Sequence, residues 1–268
     1  MDNAQALENL VAVVEKLTAP DGCSWDREQT PETLADYVIE ESHELVAAIR
    51  FGNQAEVMGE LGDLAFLVLF IAHLYEKNGA FTLARTLENN RQKMIRRHPH
   101  VFGDTRFENR DDQLAAWEAI KRSEHSENND KPGIFTSLPK SLPPLIRAYR
   151  LHSKAARVGF TWATDEEVEQ QVEAEWLEFL DASLSKDEKA EKHEIGDMFF
   201  SLVELARRKG IKANEALDLA CERFLQRFER MEEIAREKKL DFPALSLDEK
   251  DELWNQAKSE QAGKTEDK

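Results

Sequence analysis

Two stretches of the chain share one acidic spacing. Residues 40–63 read EESHELVAAIRFGNQAEVMGELGD, and residues 174–197 read AEWLEFLDASLSKDEKAEKHEIGD. In both, an E-x-x-E pair is followed after 15 residues by an E-x-x-D pair. The first quartet is Glu41, Glu44, Glu60 and Asp63, and the second is Glu175, Glu178, Glu194 and Asp197. A whole quartet that recurs indicates an internal duplication.

The spacing of each quartet suits a helical hairpin. Positions i and i+3 share a helix face, so Glu41 and Glu44 project together, as do Glu60 and Asp63. Between these pairs, Phe51-Gly52-Asn53 is typical of a turn that folds the second helix back on the first. Because packed helices lie about 8–10 Å apart, carboxylates from both helices can meet between them.

The rest of the chain also reads as helix. No segment alternates convincingly with a period of two, so we predict an all-α fold of two tandem helical-bundle domains. Four of the eight prolines fall within residues 132–144, beside the polar stretch SEHSENNDKPG. We therefore expect an N-terminal domain at 1–124, a linker at 125–143 and a C-terminal domain at 144–268 that ends in a polar tail at 259–268.

Helix ends are legible as well. Thr30-Pro31 predicts a cap followed by proline at the first helical position, and capping boxes are predicted to begin at Thr164, Ser185 and Ser246. The predicted helices lie at roughly 4–18, 31–50, 54–78, 80–97, 110–124, 144–156, 165–182, 187–209, 212–239 and 247–260.

Composition excludes several classes of function. A formal charge of −17 argues against a nucleic-acid or anionic-membrane partner, since both require a basic surface. Two cysteines, with no CxxC or Cys/His cluster, favour neither disulfides nor zinc. The N-terminus does not resemble a signal peptide, and the longest apolar run, at residues 64–72, is about half a bilayer span. We expect a cytoplasmic enzyme or binding protein with no membrane partner.

Four gathered carboxylates repel one another unless a cation joins them. Oxygen ligands without sulfur favour Mg²⁺, with Mn²⁺ as a substitute, over zinc. Gly62 and Gly196 sit inside the second acidic pair of each copy, although glycine within a helix costs about 1 kcal/mol relative to alanine. This recurrence suggests that something approaches the backbone there. The alternative is a solvated acidic face, but the repeat and the apolar flanks favour a cation site.

Basic residues follow each quartet. Lys93 and Arg97 are four residues apart, and Arg223 and Arg227 repeat the spacing. Cations one helical turn apart can clamp successive phosphates, while the alternative is a basic helix end that pairs with glutamates.

Each half also carries a tryptophan near its end. Trp117 and Trp254 can stack on a nucleobase, although core packing is the commoner role of such a residue. Trp25 and Trp162 are interpreted as structural.

Together these motifs resemble the MazG family. The resemblance rests on the paired quartets, GCSWD at 22–26, RRHPHVFGD at 96–104 and GFTW at 159–162, and it covers about residues 4–260. It implies an all-α nucleoside triphosphate pyrophosphohydrolase that is a homodimer. Such an enzyme uses Mg²⁺ to convert NTPs and dNTPs into monophosphate and diphosphate, with broad base tolerance and a housekeeping role in the nucleotide pool.

The resemblance also implies residue roles. Both quartets would bind metal, and the second would be catalytic. Lys192, Arg223, Arg227 and Trp254 would contact the nucleotide. The second copy departs from the family pattern at Ala174, where the first copy has Glu40, and at Arg223, where lysine is more usual.

Two other readings are open at this point. A di-iron bundle needs an E-x-x-H pair in each half, and only Glu40-x-x-His43 fits. A helical dimer that binds metal or nucleotide without turnover, as a sensor, is the other reading, at least for the N-terminal half. The residues leave open whether Glu175 or Glu178 orients the attacking water.

Overall fold

The chain is built from helices. The computed structural model describes residues 1–124 and 133–266, and within these residues it has twelve α-helices, a short 3₁₀ turn and no strand. The predicted all-α class is therefore confirmed. The chain divides into two compact units, Met1–Lys121 and Arg122–Lys268. Part of the predicted linker, residues 125–132, lies outside the described residues.

The N-terminal unit is organised around one helical hairpin. Its helices are α1 (Asn3–Leu17), α2 (Ser24–Glu28), α3 (Pro31–Phe51), α4 (Gln54–Lys77), α5 (Leu83–Arg97), α6 (Pro99–Phe102) and α7 (Arg110–Ser123), the last of which reaches just past the boundary of the unit. Helices α3 and α4 pack along each other, and α1 covers α4. The hairpin turns at Gly52, whose φ of +74° is readily adopted only by glycine.

The core of this unit brings together three helices. Val14 of α1 and Leu34 of α3 pack against Leu67, Phe70 and Leu74 of α4, and all five are buried. By length and composition alone, α4 is apolar enough to cross a membrane, with a mean hydropathy of 1.8 over 18 residues. In the structure, one side of this helix supplies the core of a helical bundle.

The C-terminal unit repeats the hairpin. Its helices are α8 (Pro144–Ala156), α9 (Asp165–Ser185), α10 (Glu188–Arg208), α11 (Ala213–Glu237) and α12 (Leu247–Glu266), with the 3₁₀ turn at Phe242–Ala244. Helices α9 and α10 pair as α3 and α4 do, α8 packs on α10, and α12 packs on α11. The turn between α9 and α10 has Lys186 at φ +56°, where the first copy has glycine.

Most predicted helix ends are confirmed. Thr30 caps α3 with Pro31 behind it, and the side chains of Thr164 and Ser246 accept hydrogen bonds from the backbone N–H groups three residues on. The capping box predicted at Ser185 is wrong. Asp187 caps α10 instead, because its carboxylate accepts from two backbone N–H groups, whereas Ser185 still belongs to α9.

The predicted polar tail at 259–268 requires a correction, because α12 continues to Glu266. Polar side chains of this segment bind the neighbouring helix α11. Glu260 accepts from Arg230 at 2.7 Å, and Gln261 accepts from Arg227 at 2.8 Å. Contacts to a packed neighbour therefore extend the helix beyond residue 260, where the sequence predicted its end.

Candidate active site

The acidic pairs of the first copy converge between α3 and α4. Ligand oxygens of Glu41, Glu60 and Asp63 lie within 4.8 Å of one another. Burial raises the pKa of the Glu41 carboxyl, and the nearby charges of Glu44 and Asp63 raise it further. Glu44 is exposed and lies outside the compact set of three.

The second copy also brings together three acids of its quartet, but it draws two of them from the first helix of the hairpin. Ligand oxygens of Glu175 and Glu178 on α9 and of Glu194 on α10 lie within 4.8 Å of one another. Glu175 is buried, and its Oε1 accepts a hydrogen bond from Nε2 of Gln171 at 2.7 Å. Glu178 is exposed. One carboxylate is thus fixed by a neighbour while the other remains accessible to solvent.

Asp197, the fourth acid of the quartet, lies beside a histidine. Its Oδ2 lies 3.1 Å from Nδ1 of His193, and that nitrogen lies 3.4 Å from Oε1 of Glu194. The sequence reasoning assigned no role to His193 or Gln171. The available signal was spacing, since His193 precedes Asp197 by four residues and Gln171 precedes Glu175 by four, which places each pair on one helix face.

The donor sets fit a hard divalent cation. Each copy offers at least three carboxylates from two helices, which is the oxygen-rich environment that Mg²⁺ and Mn²⁺ prefer. No sulfur ligand takes part, because Cys23 and Cys221 belong to neither set. The clusters can therefore hold the cation that the sequence predicts.

The basic residues lie on the helices that follow the hairpins. In the first copy, the buried guanidinium of Arg97 lies 5.4 Å from the centroid of the Trp117 ring. In the second, the guanidinium of Arg227 lies 5.6 Å from the centroid of Trp254. The duplication thus extends to a matching cation–π pair, which orients the second basic residue of each predicted clamp.

The other predicted substrate contacts vary in exposure. Lys93 on α5 is half-buried, whereas Lys192 on α10 and Arg223 on α11 are exposed. Helix α11 packs against α10, so the cations and carboxylates of the second copy lie on neighbouring helices. Trp254 also packs at 5.3 Å against the ring of Phe224, which occupies part of its surface.

An aromatic cavity opens in the C-terminal unit beside α10. Its volume is about 790 Å³, and its walls include Phe135, Phe160, Trp162 and Phe200, with His152, Thr161 and Glu167 as polar residues. Phe200 lies three residues after Asp197, one helical turn along α10. Trp162, interpreted from sequence as structural, therefore lines a cavity that shares helix α10 with Glu194 and Asp197.

A buried polar network supports the wall of this cavity. His152 donates from Nε2 to the backbone carbonyl of Phe200 at 3.1 Å, and its Nδ1 lies 3.5 Å from Glu204. Arg207 donates two hydrogen bonds to the Glu204 carboxylate, at 2.7 and 2.8 Å. Burial lowers the pKa of His152. Burial also opposes ionisation of Glu204, but the Arg207 guanidinium outweighs it and holds the pKa of that carboxyl below its usual value.

Comparison with known proteins places this geometry in a family. The model of the MazG nucleotide pyrophosphohydrolase domain matches residues 29–102, which contain the whole first quartet. The chain is 38% identical over 251 residues to the nucleoside triphosphate pyrophosphohydrolase/pyrophosphatase MazG of Thermotoga maritima, covering 94% of this chain and 95% of that protein.

The chain belongs to the MazG family. It is also 35% identical over 260 residues to the nucleoside triphosphate pyrophosphohydrolase of Escherichia coli K12, covering 95% of this chain and 98% of that protein. A Bacillus subtilis protein named uncharacterized protein YabN is 38% identical over 248 residues, which make up 92% of this chain and 50% of that protein. The predicted resemblance to MazG is therefore confirmed, and with it membership of an enzyme family that hydrolyses phosphoanhydrides.

Proposed function

We propose that this MazG-family chain hydrolyses nucleoside triphosphates to monophosphate and diphosphate, with the chemistry in the C-terminal unit. The observation that carries the proposal is the meeting of Glu175, Glu178 and Glu194 within 4.8 Å, in a chain whose full-length relatives are named for this activity. We also propose that the enzyme accepts many bases, acts on both ribonucleotides and deoxyribonucleotides, and has a housekeeping role in the nucleotide pool.

The residues of the second quartet divide the work. Bound Mg²⁺ would supply Lewis-acid polarisation of the phosphate oxygens and acidify the attacking water. Glu175 is buried and held by Gln171, which suits a fixed ligand. Glu178 is exposed on the same helix, so we assign it the orientation of the water and the acceptance of its proton.

Cations then stabilise the leaving group. Arg227 is positioned by Trp254 and Gln261, and Arg223 precedes it by one helical turn. Together with Lys192 they neutralise charge that develops on diphosphate. Arginine suits this task because its guanidinium binds phosphate oxygens bidentately.

The aromatic cavity fits the nucleobase. It begins one helical turn beyond Asp197, and it offers the rings of Phe160, Trp162 and Phe200 with few polar groups. Stacking on aromatic rings tolerates every base, because each base has a π-face. A cavity of this composition therefore supports broad specificity, with Trp254 acting mainly through Arg227.

The exposed apolar faces of the hairpins support a homodimer. The second hairpin exposes Leu177, Leu184 and Phe199, and the first exposes Met58 and Leu61. Large apolar side chains exposed on both hairpins are consistent with an interface that covers them. A Cβ built at Gly62 or Gly196 meets no atom within 4 Å, so whatever approaches these glycines comes from a second copy or from substrate. Sedimentation of Leu177→Glu, which should dissociate the dimer, tests this part of the proposal.

For the N-terminal unit we propose binding of cation and nucleotide without turnover. Its compact set draws a single carboxylate from α3, whereas the second copy draws two from α9. If so, the full chain carrying Glu175→Ala should lose hydrolysis but retain nucleotide binding at the N-terminal unit.

A product assay in H₂¹⁸O tests the proposed reaction. Wild type is compared with Glu41→Ala, Glu175→Ala and the matched control Glu173→Gln, an exposed acid on α9 outside the cluster. We expect monophosphate and diphosphate that depend on Mg²⁺, lost only in Glu175→Ala. Label in the monophosphate indicates attack on the α-phosphorus, and label in the diphosphate indicates attack on the β-phosphorus. Formation of nucleoside diphosphate and inorganic phosphate, or no turnover with any NTP or dNTP, would refute the proposal.

A further inference from the structure

The two copies differ at the residue before their third acid. The second copy has His193 before Glu194, and the first has Gly59 before Glu60. His193 and Asp197 are four residues apart on α10 and so share one face. Among the described residues, the sets of close ligand atoms include an imidazole in the second copy alone.

The second copy contains two overlapping sets of ligand atoms. One set is Glu175, Glu178 and Glu194, and the other is His193, Glu194 and Asp197. Within each set the ligand atoms lie within 4.8 Å of one another. Glu194 belongs to both, and a carboxylate can bridge two cations because it has two oxygens. The geometry therefore offers two neighbouring positions, one all-oxygen and one with a nitrogen.

The two positions differ in the cation that they favour. Oxygen ligands suit both Mg²⁺ and Mn²⁺, but Mg²⁺ gives up water reluctantly, whereas Mn²⁺, as a transition metal, accepts an imidazole nitrogen more readily than Mg²⁺ does. A histidine and a second ligand one turn apart on a helix form a chelate of the kind used by helical zinc motifs. The side chain of His193 is 71% exposed, so this position is open to solution and to phosphate oxygens.

We propose that His193 makes the outer position of the C-terminal site a nitrogen–oxygen site that takes Mn²⁺ in preference to Mg²⁺, while the Glu175 set takes Mg²⁺. This inference rests on the proposed function, since it assumes that the second quartet holds a cation. In the first copy the set of Glu41, Glu60 and Asp63 contains no imidazole, so we expect no such preference there.

Pulsed EPR of Mn²⁺ tests the nitrogen ligand directly, independently of turnover. The full-length chain carries Glu60→Gln and Asp63→Asn, so that Mn²⁺ binds the second site alone. We expect coupling of Mn²⁺ to a directly coordinated ¹⁴N nucleus. In His193→Gln this coupling disappears and the Kd for Mn²⁺ rises by about tenfold or more, while the Kd for Mg²⁺, measured by competition, changes little.

A reciprocal variant provides the matched control. Gly59→His puts an imidazole at the corresponding place of the first copy, four residues before Asp63, and a Cβ at Gly59 meets no atom within 4 Å. In a chain disabled at the second site by Glu194→Gln and Asp197→Asn, this variant should gain ¹⁴N coupling that its parent lacks.

The outcomes separate this inference from the proposed function. Mn²⁺ that binds the second site without ¹⁴N coupling, or with an affinity unchanged in His193→Gln, overturns the role of His193 and leaves the hydrolase proposal intact. A second site that binds neither Mn²⁺ nor Mg²⁺ in the presence of nucleotide overturns both.

Discussion

Removing the charge of Glu204 should destabilise the C-terminal unit strongly. Glu204 is 1% exposed, and Arg207 holds it with two hydrogen bonds of 2.7 and 2.8 Å. In Glu204→Gln, the guanidinium faces a neutral amide that can accept through only one oxygen. The cationic partner is then left largely desolvated and without its counter-charge.

The size of the effect follows from burial. Breaking a buried ion pair by removing one partner costs about 3–5 kcal/mol. Because the Arg207 side chain keeps 21% of its surface exposed, water recovers part of this loss. We expect the free energy of unfolding to fall by about 2–4 kcal/mol. For a unit of this size, that corresponds to a melting temperature lower by about 5–15 °C.

Urea and thermal denaturation of the full chain measure this change. The matched control is Glu233→Gln, whose carboxylate is exposed and pairs with Arg230 on the same helix, and it should change stability by less than about 0.5 kcal/mol. The double variant Glu204→Leu/Arg207→Leu should recover much of the loss, since it removes both charges. Equal losses of stability in Glu204→Gln and Glu233→Gln would show that the buried Glu204–Arg207 pair contributes no more than an exposed one.

Three further changes test other parts of the structure. The folded-state pKa values of His152 and Glu204 both lie below their ordinary values, so the unfolded chain binds more protons than the folded one at acidic pH. The free energy of unfolding should therefore fall as the pH drops below about 6.5. In calorimetry, His152→Gln should make the upper part of this fall less steep. Phe70→Ala, in the N-terminal core, should lower the free energy of unfolding of that unit by about 3–5 kcal/mol, while hydrolysis by the C-terminal unit persists. Loss of hydrolysis together with N-terminal stability would mean that the units are not independent. Trp162→Ala should raise the KM for NTPs, because about 1–3 kcal/mol of base stacking is lost. Hydrolysis of inorganic triphosphate, which has no base, should be unaffected. Equal effects on both substrates would argue against binding of the base in this cavity.

Local signals predicted the helices well. Nine of the ten predicted helices match the described ones with ends within three residues, because caps, prolines and turn glycines act locally. The tenth, α12, runs six residues further than predicted, since its contacts to α11 were invisible in its own composition. The short helices α2 and α6, of five and four residues, were missed because so few residues leave no periodic pattern.

The site was predictable where it depended on helical spacing. Paired acids at i and i+3 in a hairpin fixed the convergence of Glu175, Glu178 and Glu194. The cavity around Trp162 was not, because its walls come from separate parts of the chain: the segment before α8, α8 itself, the loop between α8 and α9, the start of α9, and α10. The same spacing also predicts that His193 lies beside Asp197, since the two residues are four positions apart on one helix.

The duplication gives the chain two copies of one apolar hairpin face. In a homodimer of such chains, the meeting of one pair of faces tethers the other pair, which then associates at an effective concentration on the order of millimolar. Each face can be weak when taken alone, and a single isolated unit should come apart at dilutions where the whole chain stays paired. In the proposed homodimer, avidity of this kind would favour a folded N-terminal copy, whether or not its own carboxylates hydrolyse a nucleotide.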